Sequence, residues 1–249
     1  MSKRGIATTA LGVAALALLF AAAFALRDQA VGIDTAHWMG SPLPPCFEDA
    51  KACGGHLLGT DPVGRDLLAR LIVGAAVTAA GCLAVLIVEA IIVLAAAAVS
   101  RAGKIARYAI ARLAEALSAF PAWPLLIVVA FGFRLSLVGL VAASLVAPAA
   151  IRIAILRPTV RSFADRAAKD AQRIVVLLST LGFFGYGTQP PTPSLGNMLA
   201  GAQQNFDVGW WTVVFPAVTL FAVVLSIEVL RRLGLRRGSF PAPLGVPVR

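Results

Sequence analysis

The stretch HLLGTDPVGRDLLARLIVG, residues 56–74, joins a polar, glycine-punctuated segment directly to a long apolar run. Its second half has apolar residues at positions 67, 68, 71 and 72, with Arg65 and Arg70 interleaved. This pattern suits an amphipathic helix that lies at a membrane surface. The stretch therefore predicts an outer loop that leads through a short surface helix into a membrane-spanning helix.

The composition indicates a membrane protein. Hydrophobic residues make up 59% of the 249 residues and charged residues only 14%, with a mean hydropathy of +0.85. A soluble domain of this composition would expose large apolar patches. The net charge of +10 does not indicate nucleic-acid binding, because the basic residues lie between apolar runs instead of gathering on one polar face.

Six apolar runs approach the roughly 20 residues that a helix needs to cross a bilayer. They cover residues 6–26, 73–99, 113–133, 135–156, 174–187 and 210–230. The first could be a signal peptide, but its apolar core is longer than the usual 7 to 15 residues, which favours an uncleaved anchor. The fifth is too short to span unaided. We predict an all-α, polytopic membrane bundle of about six helices.

The basic residues set the expected orientation, because short loops rich in Lys and Arg stay in the cytoplasm. With both termini inside, four basic clusters are cytoplasmic, whereas residues 188–209 contain no Lys or Arg. We expect an anchor helix at 1–26, a periplasmic segment at 27–72 and a transmembrane domain at 73–230. A cytoplasmic loop is expected near 157–173, and a basic cytoplasmic tail at 231–249.

Three cysteines fit this topology. Cys46 and Cys53 lie in the outer segment, which is oxidising if the chain belongs to a bacterial inner membrane, so a disulfide is reasonable. Unpaired thiols, or a metal site with His37 and His56, are the alternatives, although zinc ligands are usually spaced more tightly. Cys82 falls within the second span and is expected only to pack.

Two motifs on the outer side carry a resemblance to a known family. LGTD at 58–61 with GRDLL at 64–68, and GTQPPTPSLGNMLA at 187–200, resemble signature segments of the C-type permease subunit of dipeptide, oligopeptide and nickel ABC importers. The three prolines after Gln189 predict a stiff extended connector. Trp210 and Trp211 are expected to anchor the last span at the membrane interface. The motif residues are Gly59, Thr60, Asp61, Gly64, Arg65 and Asp66, followed by Gln189, Pro190, Pro191, Pro193, Gly196 and Asn197.

The sequence carries no nucleotide chemistry of its own. It lacks the GxxxxGK[ST] pattern, and no spacing supports a Ser/His/Asp or Cys/His set. The resemblance implies a non-enzymatic transport subunit of the bacterial inner membrane, without a cofactor, whose ATP is bound by partners. Those partners are a second permease subunit, two ABC ATPases and an extracytoplasmic solute-binding protein. Peptide, nickel and related solutes all stay open as substrates.

The family couples to its ATPases through a cytoplasmic helix with an EAA pattern, and the matching segment here, SFADRAAKDA at 162–171, is shortened and diverged. Phe163, Asp165, Ala167 and Ala168 are the candidate remnant. Two alignments are open. Either a short coupling helix persists, or the loop is missing and these charged residues occupy the first half of the fifth span.

Glu89 and Glu115 are carboxylates in or near the predicted hydrocarbon region, and Glu89 is the more unusual of the two because it lies within the second span. It could line the pathway, pair across the subunit interface, or be a tolerated buried group. Two alternatives to a working permease are also open. One is a diverged, poorly coupled paralogue, and the other is a membrane-anchored enzyme or metal-binding sensor that uses His37, Cys46, Cys53 and His56.

Overall fold

The computed structural model describes residues 3–36, 41–49, 51–118, 160–202, 206–207 and 209–235. These ranges contain six helices and two isolated β-bridges but no strand, which confirms the all-α prediction. The helices are α1 (Lys3–Val31), α2 (Leu67–Ser100), α3 (Lys104–Ser118), α4 (Val160–Phe183), α5 (Leu195–Ala202) and α6 (Trp211–Leu235).

Three stretches of the described helices are long and apolar enough to cross a membrane: Ala10–Val31, Leu67–Ser100 and Trp211–Leu233. They correspond to the first, second and sixth predicted spans, and each extends beyond its predicted end. The third predicted span begins within α3, but most of it and all of the fourth lie outside the described residues, as does most of the C-terminal tail.

α2 is the central helix and packs against each of the other five described helices. Its first turns meet the end of α1 through small residues, with Ala69 and Ala76 beside Ala23 and Ala30. Small residues let two helix backbones approach closely, which is how membrane helices gain packing energy. Its middle packs on α4, where Cys82 and other apolar residues form the largest buried cluster.

The separate amphipathic surface helix predicted over residues 66–74 does not form. α2 begins at Leu67 and continues without a break to Ser100, so this stretch is simply the outer end of the second span. Arg70 is buried because protein groups, described below, satisfy its guanidinium.

α4 runs unbroken from the charged segment into the fifth apolar run. Residues 162–171 therefore form the first half of the same helix that carries the fifth apolar run, and no separate coupling helix forms there. The charges fit a continuous helix because Lys169 lies 2.8 Å from Asp165, and Arg166 2.7 Å from Asp170, one turn apart.

The expected extended connector after Gln189 is instead a tight turn at residues 190–192, with a cis Pro190–Pro191 peptide. The chain folds back here because the side-chain amide of Asn197 donates to the carbonyls of Thr188 and Thr192, at 2.8 and 3.0 Å. The predicted extended path of this segment is therefore wrong.

Gly196 lets α5 pack directly on the backbone of α4. A Cβ at this position would meet the carbonyl oxygen of Ser179, and Gly182 Cα at 2.9 Å. Backbone atoms cannot move aside as the end of a side chain can, so this close approach requires glycine.

We expect Gly196→Ala to destabilise the protein by about 1–3 kcal/mol, because the added methyl overpacks the α4–α5 contact. Thermal unfolding of the purified full-length chain, followed by tryptophan fluorescence, measures the effect. Gly201→Ala in the same helix is the control, since a Cβ there meets nothing within 4 Å. Equal unfolding midpoints for the two variants would contradict this contact.

Candidate functional site

Asp61 is the centre of the outer hook, which we define as residues 56–70. Its Oδ1 accepts hydrogen bonds from the backbone N–H groups of Val63 and Arg65, both at 2.9 Å. Its Oδ2 lies 2.8 Å from Arg65 Nε and 3.2 Å from Arg70 Nε. Both oxygens of this buried carboxylate are therefore compensated, as a buried charge requires.

Arg70 connects the outer hook to two distant parts of the chain. Its Nη1 donates to the carbonyl of Ala30 at 2.9 Å and to that of Pro191 at 3.4 Å. Its Nε is within ion-pair distance of Asp61 but makes no hydrogen bond within the described residues. One buried guanidinium thus holds together the end of α1, the outer hook and the proline turn.

His56 lies between two carboxylates. Its Nδ1 is 2.7 Å from Asp66 Oδ2, and its Nε2 is 3.1 Å from Asp34 Oδ2. Burial opposes the charged form, but the hydrogen bonds to Asp66 and Asp34 outweigh it and raise the pKa of His56 above its ordinary value of 6.5. Asp66 also caps α2, since its Oδ1 accepts from Ala69 N–H at 2.7 Å.

Thr60 connects the outer hook to α6. Its hydroxyl accepts from Leu43 N–H at 2.8 Å, and its carbonyl accepts from Trp211 Nε1 at 3.2 Å. Gly59 has a φ of 76° and packs against the backbone of Leu43. A Cβ at position 59 would clash with the carbonyl oxygen of Leu43. The two tryptophans predicted as interfacial anchors differ: the hydrogen bond from Trp211 to Thr60 and the packing around it bury the ring of Trp211, whereas Trp210 is exposed.

A disulfide joins Cys46 and Cys53, whose Cα atoms are 4.9 Å apart, and closes a small loop beside the outer hook. Phe47 in this loop lies edge-on to Phe215 of α6, with ring centroids 6.4 Å apart. Within the described residues no three His, Cys, Asp or Glu side chains gather as metal ligands. His37, part of the metal-site alternative, lies outside those residues.

Asn197 organises the second motif. Its Oδ1 accepts from Ser194 N–H at 2.9 Å, and Ser194 Oγ accepts from Asn197 N–H at 3.3 Å. This reciprocal pair caps the start of α5 in the manner of a capping box. Pro193 is buried, and Gln189 donates to the carbonyls of Gly185 and Gly187, which closes the turn before the prolines.

The two motifs, more than a hundred residues apart, meet at the outer end of α2. Thr78 Oγ1 of α2 accepts from Leu195 N–H, the first of α5, at 3.3 Å. Leu67 and Met198 share a buried cluster with Trp211. Together with the bond from Arg70 to Pro191, these contacts join both motifs into one structure, which we call the outer site.

The other predicted site residues lie elsewhere. Glu89 is further along α2, where it faces Asp170 of α4. Asp165, in the same half of α4 as Phe163, Ala167 and Ala168, lies 2.6 Å from Arg231 at the end of α6. The predicted residues therefore form an outer site and a separate charged cluster at the other end of the bundle.

Sequence reasoning missed several residues that hold the outer site together. Arg70 gave a signal, because it is a charged residue between Leu67 and Leu71 at the start of an apolar helix. Thr78 and Asp34 gave none, since a small polar residue in a span or a loop is common, and only the folded chain brings their partners near.

Comparisons with known proteins identify the family. The chain is 28% identical over 211 residues to the di/tripeptide transport system permease protein DppC of Pseudomonas aeruginosa, covering 70% of this chain and 68% of that protein. It is 27% identical over 220 residues to the dipeptide transport system permease protein DppC of Escherichia coli K12, covering 75% and 73%. A Brucella suis protein named "putative peptide transport system permease protein" is 30% identical over 213 residues, 70% of each chain.

The chain belongs to the permease subunits of dipeptide and oligopeptide ABC importers. No family model matches it. Membership and the three spanning helices make this permease a multi-pass protein of the bacterial inner membrane. They confirm the resemblance, and they do not favour the metal-sensor or uncoupled-paralogue alternatives.

We expect Asp61→Asn to destabilise the permease by about 3–5 kcal/mol, because it leaves the buried Arg70 without a counter-charge. Thermal unfolding of the full-length chain measures the loss. Asp28→Asn is the control, since Asp28 pairs with Arg27 in an exposed position and such pairs contribute at most about 1 kcal/mol. Similar losses in the two variants would contradict the central role of Asp61.

The stability of the permease should fall as pH rises through the folded-state pKa of His56. Because that pKa is raised, the stabilisation is fully present below the ordinary value of about 6.5 and is lost above the folded value. Unfolding midpoints across a pH series should show a weaker dependence for His56→Gln than for the native chain. Parallel curves would count against the His56 contacts.

Proposed function

We propose that this chain forms half of the translocation pathway of an ABC importer for dipeptides, oligopeptides or a related small solute. The outer site carries the proposal, because it combines both family motifs into one structure that binds α1, α2, α5 and α6 together. The names of the relatives support the substrate class, since they describe dipeptide, tripeptide and peptide transport systems.

The partners that this function requires are a second permease subunit, two ABC ATPases and an extracytoplasmic solute-binding protein. ATP is then bound and hydrolysed by the partner ATPases, and this chain needs no cofactor. The solute-binding protein delivers its cargo at the outer face, and closure of the ATPases drives alternating access by moving the helices of the two permease subunits.

The orientation of the chain follows from its charges. Both termini are cytoplasmic, and Arg231 and Arg232 at the end of α6 lie on that side with Arg101 after α2. This places the outer site in the periplasm, where the Cys46–Cys53 disulfide is stable. In this orientation the chain crosses the membrane about six times.

The charged half of α4 is the proposed coupling segment, although it is not a separate helix. Asp165 is turned inward: burial opposes its charged form, but hydrogen bonds from Lys169 and Arg231 lower the pKa of Asp165. Ala167 is exposed on the same turn and Ala168 is partly exposed, so this small-residue face is free to meet an ATPase. Residue 163 lies one turn before Ala167 and extends the segment.

Uptake of a labelled dipeptide tests the function directly. The chain is expressed with its partner permease, ATPases and binding protein in cells that lack peptide importers, and ATP-dependent uptake is expected. Ala167→Trp should abolish uptake and the co-purification of the ATPases while the partner permease is still retained, because a large side chain blocks the docking face.

Ala102→Trp is the matched control, because Ala102 is an exposed residue of the turn between α2 and α3. It should leave uptake and ATPase binding intact. If neither the native assembly nor the control takes up dipeptide, the proposed substrate class is refuted. Full ATPase binding by Ala167→Trp would refute the docking face alone.

A further inference from the structure

Glu89 and Asp170 form a buried carboxyl pair between α2 and α4. They lie within hydrogen-bonding reach of each other. Glu89 is 5% exposed and Asp170 is fully buried. Within the described residues, Glu89 Oε2 and Asp170 Oδ1 have no hydrogen-bond partner. Two acceptor oxygens, one from each helix, therefore lie in this buried contact without a hydrogen-bond donor among the described residues.

The positive charge around this pair is incomplete. Arg166 Nε binds the other oxygen of Asp170 at 2.7 Å. Arg173 Nη1 is 3.5 Å from Asp170 Oδ1, but its side chain is largely exposed, so water screens its charge. Two ionised carboxylates would thus share one close cation in a desolvated contact, which strongly disfavours the doubly charged state.

Among the residues that the structure describes, the other charged and titratable groups near this contact are engaged or neutral. Cys82, on the same side of α2, points toward the carbonyl of Ala171. On α6, Glu228 is held by Arg231 and Arg232, and it meets α4 through Gln172. On α3, which packs on α2 at Ala114, the adjacent Glu115 pairs with Arg112.

We propose that Glu89 and Asp170 bind one proton between them and that this shared proton locks the charged half of α4 against α2. A single O–H from one carboxyl donates to the other, so one proton satisfies both orphaned oxygens. The remaining negative charge is neutralised by Arg166. A metal ion fits less well, because hard cations take about six oxygen ligands and only two carboxyl groups of the described residues converge here.

The shared proton makes the α2–α4 contact next to the proposed coupling segment dependent on protonation, which goes beyond the proposed function. The charged half of α4 is held by Arg231 of α6 on one face and by α2 on the other, and only the second attachment depends on a proton. Loss of the proton places two negative charges face to face and weakens the α2–α4 contact beside the coupling segment. The proton-binding site itself does not depend on the identity of the substrate.

Infrared spectroscopy of the full-length chain, assembled with its partner permease, tests the site. The native protein should show the carbonyl stretch of a buried protonated carboxyl group, shifted in D2O. Glu89→Gln and Asp170→Asn should each remove this band. Glu115→Gln is the control and should leave it unchanged, because Glu115 is in an exposed pair with Arg112. Absence of the band from the native protein would overturn the proposal.

Thermal unfolding provides an independent readout. Glu89→Gln should keep the native unfolding midpoint, because the Gln amide can donate to Asp170 as the carboxyl O–H does, whereas Glu89→Ala should lower it. The midpoint of the native chain should fall at alkaline pH, and that of Glu89→Gln should not. Equal losses in the Gln and Ala variants, or a native midpoint that a chelator lowers, would show that the pair does not hold a proton.

Discussion

The ion pair between Asp61 and Arg70 is the interaction on which the outer half of the structure depends. A guanidinium at the start of an apolar helix is costly to bury, so its presence there requires an anion and several carbonyl acceptors within reach. Asp61 supplies the anion, while Ala30 and Pro191 supply carbonyls. Because these groups come from three separate segments, satisfying one charge fixes where the end of α1, the outer hook and the proline turn lie.

Buried charges must also be compensated at the opposite end of the bundle, where the charged residues of α4 lie. The charged residues of α4 are compensated within the helix and by α6, where Arg231 reaches both Asp165 and Glu228. This network lets a helix with a polar first half continue into an apolar second half. The carboxyl groups of Glu89 and Asp170 are the exception, since the arginines nearby do not compensate both of them. The two ends therefore differ: the Asp61–Arg70 ion pair holds one end, whereas at the other end the described residues leave one of two facing carboxyl groups without a close positive charge.

α2 transmits each of these constraints to the rest of the chain. It carries Arg70 and Thr78 at its outer end and Glu89 toward its inner end, and it packs against every other described helix. Helix association in a membrane relies on close packing and polar contacts instead of the hydrophobic effect. A single long helix that supplies both kinds of contact can thus relate the position of the two family motifs to the position of the charged half of α4.

Some of the disagreements between sequence and structure share one cause. Residues 66–74 have an amphipathic pattern, but their polar side is covered by protein and not by water, so they extend α2 instead of forming a surface helix. Trp211 has the position of an interfacial anchor, yet Thr60 accepts its N–H in the interior. Sequence periodicity and position indicate that a residue has a polar group, but they do not indicate whether water or another part of the protein provides its hydrogen-bond partner.

The sequence by itself determined the membrane class, the first, second and last spanning helices, and the two motifs that identify the family. These properties depend on local composition and spacing, which are present in the linear chain. Only the tertiary structure decided that the motifs merge around Arg70, that Glu89 faces Asp170, and that the charged residues 165–173 belong to the same helix as the fifth apolar run. Those results depend on which buried polar groups find partners, and the partners are as many as 151 residues away in the sequence.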